Sequence, residues 1–219
     1  SATLTGTPTT GTWSAQSGNP AGATLGGTTS GIATVSFATT ASGTYYFIYT
    51  DATCSDTMSV TVTAKPNAGT DQTGICAGGS ATLTGTNPTT GTWTAQTGNP
   101  AGATLGTTTG GVATVNFSSS AVGTYHFIYT ANGCSDTMQI SVNALPVISG
   151  CTEDVTICNG DSLLMTCNAK GGTYYVVSGP AWITDSILHI TGNGTILMEY
   201  SYYDINGCHS VYGFKEYGA

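Results

Sequence analysis

SATLTGTPTTGTWSAQSGNPAGATLGGTTSGIATVSF, residues 1–37, returns as SATLTGTNPTTGTWTAQTGNPAGATLGTTTGGVATVNF, residues 80–117, with Asn87 the single insertion. Downstream, GTYYFIYT at 43–50 returns as GTYHFIYT at 123–130, and CSDTM at 54–58 returns unchanged at 134–138. Residues 9–66 align on 89–146 without a gap and about two thirds of those positions are identical, the mark of a tandem duplication. Within each copy apolar and polar residues alternate over short runs bounded by Gly, Pro and Asn, as half-buried strands require. Ala33, Val35 and Phe37 alternate with Thr34 and Ser36, Tyr45, Phe47 and Tyr49 with Tyr46 and Ile48, and Met58, Val60 and Val62 with Ser59 and Thr61. The second copy keeps the first set nearly intact and changes the other, with Tyr46 becoming His126, Ser59 becoming Gln139 and Thr63 becoming Asn143. Drift therefore falls on the face that the period assigns to water. Two aligned sheets in about 80 residues make an immunoglobulin-like sandwich.

A third copy can be followed beyond Leu145. ICNGDSLLMTC at 157–167 matches ICAGGSATLTG at 75–85, GGTYY at 171–175 stands where TGTWT stood, and NGCHSVY at 206–212 matches NGCSDTM at 132–138. The expected architecture is all-β, a linear array of tandem immunoglobulin-like sandwiches. Repeat 1 covers 1–65 without its first strand and first Cys, repeat 2 covers 66–145, and a divergent repeat 3 covers 146–219. Pro66 and Pro146 stiffen the two linkers.

Composition excludes several functions. The 219 residues hold three Lys, no Arg and eleven Asp plus Glu, a formal charge of -8, so no basic surface exists to neutralise nucleic-acid phosphates. Charged residues are 6% of the chain, yet 39% are hydrophobic and patterned, which argues for a fold rather than disorder. No apolar run approaches the roughly 20 residues of a membrane-crossing helix. The first residues do not read as a secretory leader, so a leader is either removed or lies outside these residues.

Seven Cys, with no C-x-x-C or Cys/His clustering, point to disulfides and an oxidising compartment rather than to zinc. Cys76 and Cys134 recur at equivalent places as Cys158 and Cys208, and the simplest reading is one bond within each repeat, Cys76 to Cys134 and Cys158 to Cys208. Cys151 and Cys167 then pair with each other. Cys54 is left over. Its expected mate lies about four residues before Ser1, in an opening strand that these residues do not include, so Cys54 is unpaired or intermolecular. Either the chain is a piece of a longer repeat protein, or a neighbouring molecule supplies the missing edge by strand addition.

The string AGTDQTGICAGGSATLTGT, followed in order by GTW, GTYYFIYT and CSDTMSVTV, resembles the immunoglobulin-like repeats, related to PKD-type modules, of very large secreted surface proteins in Bacteroidota. Gliding-motility adhesins and other cargo of the type IX secretion system belong to that group. The resemblance implies secretion, surface attachment and adhesive or filament-forming use. It departs from the pattern in the missing opening strand and in the lack of a Lys-rich sorting domain after Tyr217. O-glycan attachment in that group follows Asp-Ser/Thr-aliphatic signatures, which makes Thr57, Thr137, Ser162 and Ser186 candidates.

Catalytic equipment is sparse: His126, His189 and His209 are far apart, Glu153 and Asp154 are adjacent, and no nucleophile elbow, P-loop or dinucleotide glycine pattern occurs. No enzyme activity, cofactor or metal is expected, and Asp71 and Asp154 lack the spacing of a calcium loop. Trp13 and Trp93 share one repeat position and are assigned to the core. Trp182, Tyr174 and Tyr175 have no counterpart of that kind and form a candidate ligand face. The expected function is an extracellular structural or adhesive protein, a disulfide-stapled stalk or filament subunit whose partners are further repeats, other copies of itself, or surface glycans. The alternatives are a carbohydrate-binding module centred on repeat 3 and spacer domains of a larger secreted enzyme.

Overall fold

The computed structural model describes residues 1–52 and 54–219. Their regular structure is all strand. Repeat 1 holds β1 (Ala2–Thr5), β2 (Thr12–Ala15), β3 (Ala23–Leu25), β4 (Ile32–Phe37), β5 (Gly43–Thr50) and β6 (Ser55–Val62). Repeat 2 holds β7 (Gln72–Cys76), β8 (Ser80–Thr84), β9 (Thr92–Ala95), β10 (Ala103–Leu105), β11 (Val112–Phe117), β12 (Gly123–Ala131) and β13 (Cys134–Asn143). Repeat 3 holds β14 (Thr156–Ile157), β15 (Ser162–Leu164), β16 (Thr173–Ser178), β17 (Ala181–Thr184), β18 (Ile187–Ile190), β19 (Gly194–Tyr203) and β20 (His209–Gly218).

Each repeat is two facing sheets. In repeat 2 the orders are β10-β11-β8 and β7-β13-β12-β9, and repeat 3 repeats them as β17-β18-β15 and β14-β20-β19-β16. Repeat 1 has β3-β4-β1 opposite β2-β5-β6. Among the described residues nothing pairs with the outer edge of β6, where the other repeats carry an opening strand. The chain is thus a linear array of immunoglobulin-like β-sandwiches, each with its own core.

The inward positions are those the alternation selects. Leu83, Val115, Tyr125, Phe127 and Ile140 are wholly buried in repeat 2, as are Leu4, Val35, Tyr45 and Phe47 in repeat 1. Trp93 is buried against Tyr129 and donates from Nε1 to the Gly111 carbonyl at 2.9 Å, while Trp13 repeats that bond to Gly31 at 3.0 Å but is half-exposed. A second fixture is a tyrosine post. Tyr129 donates its hydroxyl to the Pro88 carbonyl at 2.7 Å and accepts from the Gly91 N–H at 3.0 Å. Its ring lies flat on Gly85 and Gly91, where any side chain would collide with it. Tyr49 takes the same place against Gly6 and Gly11, and Tyr200 against Gly172.

One alternation behaves differently in two copies. Met138 is 3% exposed, whereas Met58, its equivalent, is 40% exposed. In repeat 2 the segment leading into β7 covers that strand: Ala68 is fully buried, Gly69 packs on the Met138 methyl group, and Gln72 reaches its sulfur. No such segment covers β6 among the described residues, so the Met58 side chain stays in water although its spacing marks it as core.

Candidate functional site: the junctions and the two ends of the array

The cysteines do not pair within repeats. Cys76 is bonded to Cys208, across the boundary between repeats 2 and 3, and Cys151 is bonded to Cys167 inside repeat 3. Cys134 and Cys158, expected to pair with Cys76 and Cys208, are thiols, as is Cys54.

The reason for this correction is strand direction. β7 runs parallel to β13, with Ile140 opposite Gln72 and Asn143 opposite Cys76. Cys134 begins β13 and Cys76 lies beside its last residue, so nine residues of strand, roughly 30 Å at the usual rise, separate them. A disulfide needs Cα atoms within about 7 Å. β14 is likewise parallel to β20, with Ile157 opposite Gly218, which carries Cys158 away from Cys208 at the other end of β20. Each hairpin cysteine therefore sits at the end of its repeat facing the preceding one, and each opening cysteine at the end facing the following one. Where repeat 2 meets repeat 3 these two kinds of position come together, with Cα atoms 5.5 Å apart.

Local bonds hold both partners. The Asp204 N–H donates to the Cys208 carbonyl at 3.0 Å, and Asp204 Oδ1 accepts from the Asn206 and Cys208 N–H groups at 2.9 and 2.8 Å. On the other side the Gly79 N–H donates to the Cys76 carbonyl at 2.9 Å, and the Ala77 N–H donates to Asn143 at 2.9 Å, extending the parallel ladder. Cys208 is completely buried by this packing.

The junction between repeats 1 and 2 is polar instead. Asp136, two residues beyond Cys134, accepts from Lys65 Nζ at 2.7 Å and from the Ala68 N–H at 2.9 Å. The Ala68 N–H first, and then the Lys65 ammonium, hold the Asp136 carboxyl below the ordinary Asp range. A cleft beside this pair is lined by Thr39, Thr40, Ser42, Asn67 and Asn87.

The three aromatic residues proposed as one ligand face are not brought together. Tyr174 is buried in the core against Tyr200, with ring centroids 4.4 Å apart. Alternation along β16 turns Tyr175 to the outer side of the β14-β20-β19-β16 sheet, beside Glu199 and near the exposed Val177 and Leu197. Trp182 is on the outer side of the opposite sheet, so the sandwich core separates it from Tyr175. There it heads a row across three strands that the sequence reading missed: Trp182 stacks on His189 at 4.0 Å and 16°, and His189 Nδ1 shares a hydrogen bond with Ser162 Oγ at 2.7 Å. Trp182 remains 52% exposed.

Of the candidate O-glycan residues, Thr57, Thr137 and Ser162 are exposed and Ser186 is half-buried in the turn between β17 and β18. Glu153 and Asp154 lie ahead of β14 rather than on a strand. Glu153 accepts from the Tyr212 hydroxyl at 3.1 Å. Glu216 is the notable carboxyl of repeat 3. It is fully buried, Oε2 accepts from the Val155 N–H at 2.7 Å, and Oε1 has no partner. Burial pushes its pKa up, against the Val155 N–H, and the Asp154 and Glu153 charges add to the rise. Among the described residues no three His, Cys, Asp or Glu side chains converge as metal ligands, and no helix is long and apolar enough to cross a membrane.

No protein-family model matches the chain, and no curated protein matches it. Solved structures with low similarity include the I67–I69 fragment of the titin I-band, 12% identical over 98% of this chain and 88% of that one, with a TM-score of 0.37. Extracellular domains 3–5 of Drosophila OTK are 11% identical over 95% of this chain and 85% of theirs, with a TM-score of 0.35. An endo-fucoidan hydrolase of glycoside hydrolase family 107 is 12% identical over 94% of this chain, with a TM-score of 0.32, and this chain spans 38% of its length.

Proposed function

We propose that this chain is a structural stretch of an extracellular repeat protein, a covalently braced stalk or filament segment that carries adhesion at a bacterial surface, and that it is not an enzyme. The observation that carries the reading is the Cys76–Cys208 bond, which ties neighbouring sandwiches to each other. A bond inside one domain stabilises that domain. A bond between domains also fixes their spacing and limits how far they swing, which is of use to a protein that must reach and hold. Disulfides persist in oxidising compartments, in keeping with a location outside the cell. The resemblance to Bacteroidota surface repeats supports the secreted, adhesive use and the type IX route. Antibodies raised against the purified chain should label intact producing cells or filaments shed from them. Labelling that appears only after the cells are broken overturns the reading.

The uncovered edge of β6, with Met58 exposed beside it, supports assembly by strand addition: it takes an opening strand of the β7 kind. A synthetic peptide of residues 67–79 should bind the full chain and protect the β6 amides from hydrogen exchange. Unchanged exchange removes strand addition and leaves the stalk reading in place.

One observation favours a second reading. The Trp182–His189–Ser162 row is an exposed aromatic platform held in one orientation, the form of surface on which a sugar ring stacks. Glycan-array binding that disappears in Trp182→Ala supports a carbohydrate-binding role for repeat 3, and an array without any hit counts against it.

A further inference from the structure

The backbone frame around Cys76 is present again around the Cys158 thiol, and the bond that closes the hairpin on the Cys208 carbonyl is present again at the Cys54 thiol. At Cys158 the Asp161 N–H donates to the Cys158 carbonyl at 3.0 Å, as Gly79 does to Cys76, and the Asn159 N–H donates to Ala219 at 2.7 Å, as Ala77 does to Asn143. Gly78 and Gly160, two residues after each cysteine, turn the chain with φ of 82° and 90°. Cys158 is thus an opening cysteine held like Cys76. At Cys54 the Asp51 N–H donates to the Cys54 carbonyl at 3.0 Å, the closure that Asp204 makes on Cys208 at 3.0 Å. Cys54 is a hairpin cysteine that shares this closure with Cys208, although its own N–H donates to the Asp51 carbonyl at 3.3 Å where the Cys208 N–H donates to Asp204 Oδ1 at 2.8 Å.

Their places on the array are complementary. Cys54 precedes β6 and is exposed at the end of repeat 1 that faces away from repeat 2, and Cys158 follows β14 and is exposed at the end of repeat 3 that faces away from repeat 2. Repeat 1 displays the hairpin half of the inter-repeat bond and repeat 3 displays the opening half. Cys134, the remaining thiol, is a hairpin cysteine facing repeat 1, which has no cysteine besides Cys54 in residues 1–65.

We propose that Cys158 of one copy and Cys54 of a second copy form a head-to-tail disulfide that reproduces Cys76–Cys208 at the junction between molecules. This deepens the stalk reading and rests on it. The two thiols lose two protons and two electrons as the S–S bond forms. The electrons and protons pass to a disulfide oxidant, such as oxidised glutathione or the disulfide form of a thiol oxidase, which leaves as two thiols. The contact joins unlike ends, so each addition presents a fresh Cys54 and a fresh Cys158, and growth is open-ended.

The test uses the full chain with Cys134→Ser, in a buffer of reduced and oxidised glutathione, read by non-reducing gel and by mass spectrometry of linked peptides. A ladder of multimers is expected, lost on reduction, containing peptides that join Cys54 to Cys158. Adding Cys54→Ser or Cys158→Ser should each remove the ladder, while mixing those two variants should restore a single dimer band and nothing larger. Cys54–Cys54 or Cys158–Cys158 links in preference to the mixed link, or monomer throughout with Cys76–Cys208 formed, overturn the proposal and leave the stalk reading standing. Finding Cys76 and Cys208 reduced in protein oxidised under the same conditions overturns the stalk reading itself.

Discussion

Pulling the chain by its two termini sends force along residues 1–76, across the Cys76–Cys208 bond, and out through residues 208–219. Everything between the bonded cysteines, a separation of 132 residues that includes most of repeats 2 and 3, is bypassed. Breaking the bond returns that length to the pulled path. At about 3.6 Å per extended residue, 132 residues correspond to roughly 475 Å of added contour. Single-molecule stretching between handles on the termini should therefore give fully extended lengths that differ by about 475 Å between oxidised and reduced protein. In Cys76→Ser the Cys151–Cys167 loop of 16 residues stays closed, so the gain should be about 60 Å smaller than on full reduction. The same substitution frees the unfolded chain from a long closed loop, and the chain-entropy relation puts the stability loss near 5 kcal/mol. A difference of about 390 Å, the combined length that bonds within repeats 2 and 3 would hide at the same extension per residue, would refute the inter-repeat pairing, and so would equal lengths with and without reductant.

Met138→Ala should cost about 2–5 kcal/mol as a buried large-to-small change, whereas Met58→Ala, at the same repeat position but exposed and without a covering segment among the described residues, should stay within about 0.5 kcal/mol, and calorimetry of the two variants compares them directly. Tyr129→Phe removes the hydroxyl from the Pro88 carbonyl and the Gly91 N–H, and chemical denaturation of repeat 2 should show a loss of about 1–3 kcal/mol. Glu216 carries a raised pKa, so the folded state binds its proton more tightly than the unfolded chain does. Its contribution is complete below the unfolded value and falls away as pH rises through the folded one. Glu216→Gln should accordingly raise the Tm of repeat 3 at neutral pH and flatten its dependence just above the ordinary Glu range, and an unchanged profile would contradict this. Asp136 has the opposite sign: its lowered pKa adds stability above the ordinary Asp range that disappears as pH falls through the folded value, a trend that Asp136→Asn should abolish in a melting series.

Much of the fold was legible because the module occurs more than once. A single run such as ATVSF is ambiguous, but finding it again as ATVNF, with only the outward Ser36 changed, identifies which side faces water. The cysteine pairing was not legible for a related reason. Repetition shows that Cys76 and Cys158 are equivalent and that Cys134 and Cys208 are equivalent, and says nothing about whether the opening strand runs with or against its neighbour. Parallel pairing on β13 and β20 puts each pair's members at opposite ends of a repeat, and that is a property of the sheet rather than of spacing. Tyr174 and Tyr175 show a smaller failure. Adjacent strand residues face opposite ways, so a ligand face drawn through both cannot exist. The row through Trp182, His189 and Ser162 carries no signal in the sequence, because its members meet only once β17, β18 and β15 are in register.

The tyrosine post governs how such a module can be copied. Tyr129 lies on Gly85 and Gly91 and closes on the Pro88 carbonyl, so codons scattered over some forty-five positions must be inherited as a set. Point changes accumulate freely among the outward threonines and serines, whereas a crossover that separates the tyrosine from its glycines yields a copy that cannot close. Duplication of whole modules is therefore the tolerated way for a gene of this kind to change length.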